Sequence, residues 1–278
     1  MQLIIVTGLS GSGKSIALRA LEDSGFYCID NLPATLLPQI SHHLEVTNYH
    51  KVAISIDSRS AALEALPSAI EQLKSSGNSV DVLFLESNVE TLVKRFSETR
   101  RKHPLSDDNT TLAESISHER DLLAGLAELG HHIDTSNLSA NTLRNYIREI
   151  IAQPNHSVVL LFTSFGFKNG IPLDADFVFD VRSLPNPHYD PILKPLTGKD
   201  AAVAKFLENT PAAIEMLGDI QHYIEKWLPS FDQDNRSYLT VAVGCTGGQH
   251  RSVYFVEQLS NYFKNHQQKV IVRHRELD

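Results

Sequence analysis

An α/β fold in two domains is the architecture this sequence predicts, and three observations carry it. Apolar, β-branched runs alternate with segments of helical periodicity along the whole chain. A glycine-rich loop joins the first such run to a helix. A second small-residue loop repeats that strand–loop–helix order near residue 245. At 278 residues the chain is long for one core and comfortable for two.

Taken in order, residues 2–7 read as a buried strand leading into the loop, and residues 15–24 as a helix stopped by Gly25. Short strands follow at 26–29, 52–56 and 82–85, then an amphipathic helix over 89–101 and a longer one over 112–129. A last strand over 132–135 and a helix over 143–151 complete the first domain, residues 1–153, with the turn-prone Gln153-Pro154-Asn155 at its edge. Strands alternating with helices imply a mostly parallel sheet covered on both faces. In the second domain, residues 154–278, strands are expected at 158–162, 177–181, 238–243 and 270–272. Helices are expected at 201–208, 212–227 and 252–265, and a proline-rich loop over 184–198.

Composition narrows the function classes. An apolar fraction of 42% with 21% charged residues is that of folded domains. Two cysteines, Cys28 and Cys245, make no disulfide framework and fit a reducing compartment. No basic leader precedes the first strand, and no apolar run is long enough to span a membrane, so a cytoplasmic location without membrane attachment is expected. The formal charge of −8 repels nucleic acid at long range, so RNA binding requires a local basic patch.

The first loop, Gly8-Leu9-Ser10-Gly11-Ser12-Gly13-Lys14-Ser15, matches the P-loop pattern G-x-x-x-x-G-K-[ST]. Glycines free the backbone N–H groups to turn onto phosphate oxygens, Lys14 reaches the outer phosphates, Ser15 ligates Mg²⁺, and the helix start adds its positive end. A second acidic group near the metal is expected. Asp57, following the strand at 52–56, is the leading candidate, with Arg59 two residues on to touch phosphate or base; Asp30 and Glu86 compete for the metal role. Lys94, Arg95, Arg100, Arg101 and Lys102 form either a phosphate lid, through Arg100 or Arg101, or a solvated helix face.

The second loop, Cys245-Thr246-Gly247-Gly248-Gln249-His250-Arg251-Ser252, has the makings of another anion cradle. Its Cys-x5-Arg spacing admits three readings: a non-catalytic phosphate pocket, a thiolate phosphatase, or a tight turn over a buried cysteine. A phosphatase also needs a carboxylic acid, and nothing marks Asp180, Asp190 or Asp200 for that role. Asp180, Arg182 and His188, where a strand enters the proline loop, are placed either to bind a polar ligand or to stiffen the loop.

These segments resemble the RapZ/YvcJ family of P-loop proteins. The resemblance rests on the P-loop followed by Ala17-Leu18-Arg19-Ala20-Leu21-Glu22-Asp23, Gly25-Phe26-Tyr27-Cys28 and Asp30-Asn31-Leu32-Pro33. It extends through Ser164-Phe165-Gly166-Phe167-Lys168, Gly170-Ile171-Pro172, Val181-Arg182, Leu184-Pro185-Asn186-Pro187-His188 and the loop from Gly244 to Ser252. It implies a P-loop kinase-like first domain binding ATP or GTP; Mg²⁺ would come with the nucleotide, Ser15 and Asp57 being the ligands favoured above. Asp57, Ser58, Arg59 and Ser60 align with a guanine-nucleotide motif, Ser60 standing where the family usually has Asn. It further implies a cytoplasmic bacterial adapter, at most a weak NTP hydrolase, that binds small regulatory RNA and directs it to the endoribonuclease RNase E. The second domain would sense glucosamine-6-phosphate, with Cys245, Thr246, Gly247, Gly248, His250 and Arg251 at the phosphate and Asp180, Arg182 and His188 nearby. RNA would meet the basic tail, Lys264, Lys269, Arg273, His274 and Arg275, in a homo-oligomer, a tetramer.

Overall fold

The computed structural model describes residues 1–40, 49–60, 62–107, 109–152, 158–233 and 238–277. Contacts divide the chain into two compact units, Met1–Ala152 and Gln153–Asp278. The turn at residues 153–155 lies outside the described residues.

In the first unit, β1 (Gln2–Gly8), β2 (Tyr27–Ile29), β3 (Lys51–Ser55), β4 (Ser79–Glu86) and β5 (His131–Asp134) form a sheet of order β2-β3-β1-β4-β5. Every pairing is parallel, and β1 is central, with Val6 opposite Ser55 and Leu83. Parallel strands need crossovers, and helices supply them. These are α1 (Lys14–Glu22), α2 (Leu66–Ser75), α3 (Val89–Thr99), α4 (Leu112–Ala127) and α5 (Ala140–Ile151). Leu3 and Ile5 of β1 lie with Val52 and Ile54 of β3 in one buried core against Leu92, Ile116 and Leu123 of α3 and α4. A strand buried on both faces reads as a continuous apolar run, as residues 3–6 do.

In the second unit, β6 (Val159–Gly166), β7 (Phe177–Asp180), β8 (Tyr238–Cys245) and β9 (Lys269–His274) form a parallel sheet of order β7-β8-β6-β9. It carries α6 (Ala201–Glu208), α7 (Pro211–Gln233) and α8 (Arg251–Asn265), with Phe162, Val241, Phe255 and Phe263 in its core. The chain is thus α/β throughout. Helix α7 is longer than the sequence reading and continues through Pro229, and α2 has no counterpart in that reading. Among the described residues no helix is long and apolar enough to cross a membrane.

Candidate functional site

Both small-residue loops leave the carboxyl end of an inner strand and enter a helix, the position where open parallel sheets bind ligands. The first follows β1. Gly8 adopts φ +125°, and a Cβ there would lie 1.9 Å from the Leu85 carbonyl oxygen. Gly13, at φ +108°, precedes α1 in the same restricted region. Among the described residues the amides of Gly11, Gly13, Lys14 and Ser15 find no protein acceptor, and the exposed Ser15 hydroxyl makes no hydrogen bond. A row of unspent donors at a helix start suits phosphate oxygens.

Other elements hold the outside of this loop. Leu9 N–H donates to Leu85 O (3.0 Å), and Thr135 Oγ1 to Ser12 O (2.8 Å). Arg95 of α3 donates to Gly11 O (3.1 Å) and Thr135 O (2.6 Å). In this helix it is Arg95 that reaches the P-loop, whereas Arg100 caps the helix in a left-handed conformation (φ 52°) and Arg101 is exposed. Lys14 folds back over the loop, Nζ donating to Gly8 O (2.7 Å) and Leu9 O (3.1 Å). Burial lowers its pKa, an effect opposed first by the Glu119 carboxylate and then by Asp57.

Asp57 stands just past β3, beside β1, and accepts the Arg59 fork at 2.9 and 2.5 Å. With its amide nitrogen turned toward the carboxylate, Asn31 donates to both Asp57 oxygens (3.2 and 3.0 Å). Ser58 and Ser60 spend their hydroxyls inside the protein, Ser60 Oγ accepting from Ala34 N–H (2.7 Å) and Ser58 Oγ donating to Glu119 (2.6 Å). Asp30 accepts from Ser55 Oγ (2.5 Å), and Glu86 faces His132 Nδ1 (3.1 Å). Among the described residues no cluster of three or more His, Cys, Asp or Glu side chains could hold a metal by itself. The hard oxygens of Ser15 and Asp57 fit Mg²⁺, which ordinarily takes phosphate and water for its remaining ligands.

Sequence reasoning missed Glu119 entirely. Fully buried on α4, its carboxylate accepts Ser10 N–H (2.8 Å), Ser10 Oγ (2.7 Å) and Ser58 Oγ (2.6 Å), and contacts His103 Nε2 (3.1 Å). The signal was present: Glu119 occupies a core position in the stripe Ile116, Glu119, Leu123, Leu126.

The second loop follows β8. Cys245 is buried, and its sulfur accepts Gly248 N–H (3.2 Å) and lies 3.2 Å from Ser252 Oγ. Among the described residues the amides of Thr246, Gly247, Gln249 and His250 find no acceptor. Arg251 is buried at α8's start. Its Nη1 donates to the carbonyls of Arg182 (2.9 Å) and Leu184 (2.6 Å), whereas its Nε is buried with no partner. His250 is also buried, its Nε2 donating to the carbonyls of Leu193 and Lys194 (both 3.2 Å), and its ring lies 6.2 Å from that of exposed His188. Asp180 is adjacent through the pairing of β7 with Gly244. Its carboxyl is held below the usual range by hydrogen bonds from Arg182, whose guanidinium also stacks 3.8 Å from the Phe167 ring centre.

The basic tail is not the exposed strip that an RNA contact requires of all five residues. Arg273 is buried, 3.8 Å from Asp174. His274 is buried between Ser164 Oγ (2.8 Å) and Glu257 (2.9 Å). Both lie on the strand that closes the sheet beside β6, so their side chains enter the interior. Lys264 is exposed; Lys269 and Arg275 are partly so, Arg275 donating to Gly170 O (3.1 Å).

Fold and site define a P-loop α/β protein with a second anion-type loop on a separate parallel sheet. The RapZ-like N-terminal domain model matches residues 1–155 and the RapZ C-terminal domain model residues 158–278; the chain belongs to the RapZ family. A protein named "Nucleotide-binding protein" from Methylobacillus flagellatus is 66% identical over all of this chain and 99% of its own length. One of the same name from Chromobacterium violaceum is 58% identical with the same coverage. Among solved structures, the shikimate kinase of Acinetobacter baumannii in complex with shikimate aligns over 54% of this chain and 92% of its own, at 19% identity and a TM-score of 0.40.

Proposed function

We propose that this chain is a nucleotide-binding RNase adapter: it binds ATP or GTP with Mg²⁺ at the P-loop, senses glucosamine-6-phosphate at the second loop, and directs small regulatory RNA to RNase E as a cytoplasmic homotetramer. Nucleotide binding is supported by the unspent amides of the P-loop and by the relatives' name. For phosphosugar sensing one observation carries most weight. The buried Arg251 Nε has no acceptor, although it lies at the start of a helix beside a row of free amides. A buried charged donor without a partner costs several kcal/mol (about 1–3 even for a neutral group), and a phosphate oxygen removes that cost. Asp180 and His188 at the rim suit the hydroxyls and amine of the sugar.

Calorimetric titration with glucosamine-6-phosphate, against glucosamine and inorganic phosphate, tests this reading. Binding that needs the phosphate and is lost in Thr246→Val supports it; equal heats for wild type and variant refute it. For RNA, a gel shift at fixed salt should compare wild type with Lys264→Ala, Lys269→Ala and Arg275→Ala combined, because Arg273 and His274 are interior groups whose loss perturbs the fold.

A second reading is a P-loop small-molecule kinase or NTPase with a regulatory phosphosugar site, favoured by the open Ser15 hydroxyl and by Lys14 within the loop. Steady γ-phosphate transfer to a metabolite, abolished by Lys14→Ala, would establish it.

A further inference from the structure

The P-loop is gripped through its main-chain carbonyls and through two of its amides, Leu9 by the Leu85 carbonyl and Ser10 by a carboxylate, a grip of a different kind. Arg95 and Thr135 donate to loop carbonyls, those of Gly11 and Ser12. Glu119 instead takes a loop N–H, that of Ser10, together with the Ser10 hydroxyl. Its other bonds go to Ser58, one residue past Asp57, and to His103, ahead of α4. A carboxylate therefore ties together the phosphate loop, the turn carrying the candidate metal ligand, and the segment leading into its own helix.

The hydrogen bonds fix the tautomer of His103 by geometry. His103 Nδ1 accepts Leu105 N–H (3.2 Å), so the ring proton sits on Nε2 and is donated to Glu119. A neutral histidine is enough. Glu119 then makes four hydrogen bonds on two oxygens, and it is the foremost group favouring the charged form of Lys14, against the burial that lowers its pKa.

We infer that Glu119 is a positioning residue of the nucleotide site: by fixing Ser10 to the turn after β3, it holds the P-loop amides and the Asp57 turn in the mutual register that a polyphosphate requires. Glu119 is walled off from solvent and acts through Ser10 and Ser58. Ser10 N–H is thereby withdrawn from phosphate binding, and the cradle is confined to Gly11 and residues 13–15. The inference rests on the P-loop being the nucleotide site.

The test compares affinities of the full chain for Mg-ATP and Mg-GTP, each against its monophosphate, for wild type, Lys14→Ala, Glu119→Ala, Ser58→Ala and Glu119→Gln. The monophosphate lacks the β- and γ-groups that a P-loop grips, so the triphosphate-to-monophosphate ratio reports register. Losing hydrogen bonds to a charged acceptor should lower triphosphate affinity about tenfold or more in Glu119→Ala, and several-fold in Ser58→Ala, with little change for the monophosphate. Glu119→Gln, which keeps the size and one acceptor oxygen, should recover part of the loss. If Glu119→Ala does not fold, Ser58→Ala decides, since it removes one donor and leaves the carboxylate in place. Unchanged triphosphate affinity in the folded variants, or an equal fall for both nucleotides, overturns the inference. If wild type binds no nucleotide, or Lys14→Ala binds as wild type does, the nucleotide reading of the P-loop has failed on its own account and takes this inference with it.

Discussion

The two loops share a plan, strand to small residues to helix, yet they place their cations differently. In the P-loop, Lys14 rests on carbonyls of its own loop, Gly8 and Leu9, bonds that an arriving phosphate can replace one for one. In the second loop, Arg251 is built into the wall, holding the carbonyls of Arg182 and Leu184 in the proline-rich segment and leaving one nitrogen unspent. A flexible ammonium suits a polyphosphate whose position changes as it is gripped; a planar fork locked at two points suits a single anion recognised in one orientation.

Mutation of both loops sharpens the contrast. Gly8→Ala should have the largest effect: its Cβ would strike the Leu85 carbonyl at a left-handed backbone position, costing more than about 3 kcal/mol of stability in the first unit. Denaturant unfolding followed separately for each unit would show it. Arg251→Lys comes next. One ammonium cannot span two carbonyls and keep a third donor in place, so the second unit should lose about 2–4 kcal/mol. If this unit's midpoint stays put, Arg251 is not a wall residue and the contrast with Lys14 collapses.

Smaller effects follow. Asp180→Asn tests the rim. The native carboxyl titrates below its unfolded value, so its contribution is present above about pH 4 and fades as pH falls through the lowered native value. Both partners are about half exposed (44% and 48%), so the effect at pH 7 should be under about 1 kcal/mol and should vanish in acid. Melting curves of wild type and variant across pH 2–7 (about the range of carboxyl titration) would converge at the low end. Least of all, Gly247→Ala meets nothing within 4 Å of its Cβ and should change stability by about 0.5 kcal/mol or less, measured by the same unfolding.

Much of this was legible in the sequence. The P-loop announces itself because its chemistry needs glycine, lysine and serine at fixed local spacing, and the alternation of apolar runs with helical periods gave α/β units with strands close to the observed bounds. Helix α6 falls at residues 201–208 as read. Partners brought from far along the chain were not legible. Arg273 and His274 look like a basic tail as a string; pairing of β9 with β6 turns them inward, onto Asp174 and Glu257. Arg251 reads as a phosphate fork, but its carbonyl partners lie more than sixty residues earlier in the chain. Glu119 left a trace, a charge in an apolar stripe, whose meaning depended on Ser10, 109 residues upstream. Helix α2 carries its core spacing in only three residues, Leu66, Ile70 and Leu73, a stripe too short to stand out in the string.

The grip on the P-loop also bears on the order in which the protein is made. Residues 8–15 leave the ribosome before every distant group that shapes them: Leu85, Arg95, Glu119 and then Thr135. Until β4 and α4 have been synthesised and have docked, the loop has only its local bonds, such as Ser12 N–H to Leu9 O (3.1 Å), and lacks the long-range ones. A nascent chain that stops before Thr135 carries the phosphate motif in sequence without its full set of bonds, so the shape of the loop belongs to the finished first unit as a cooperative whole.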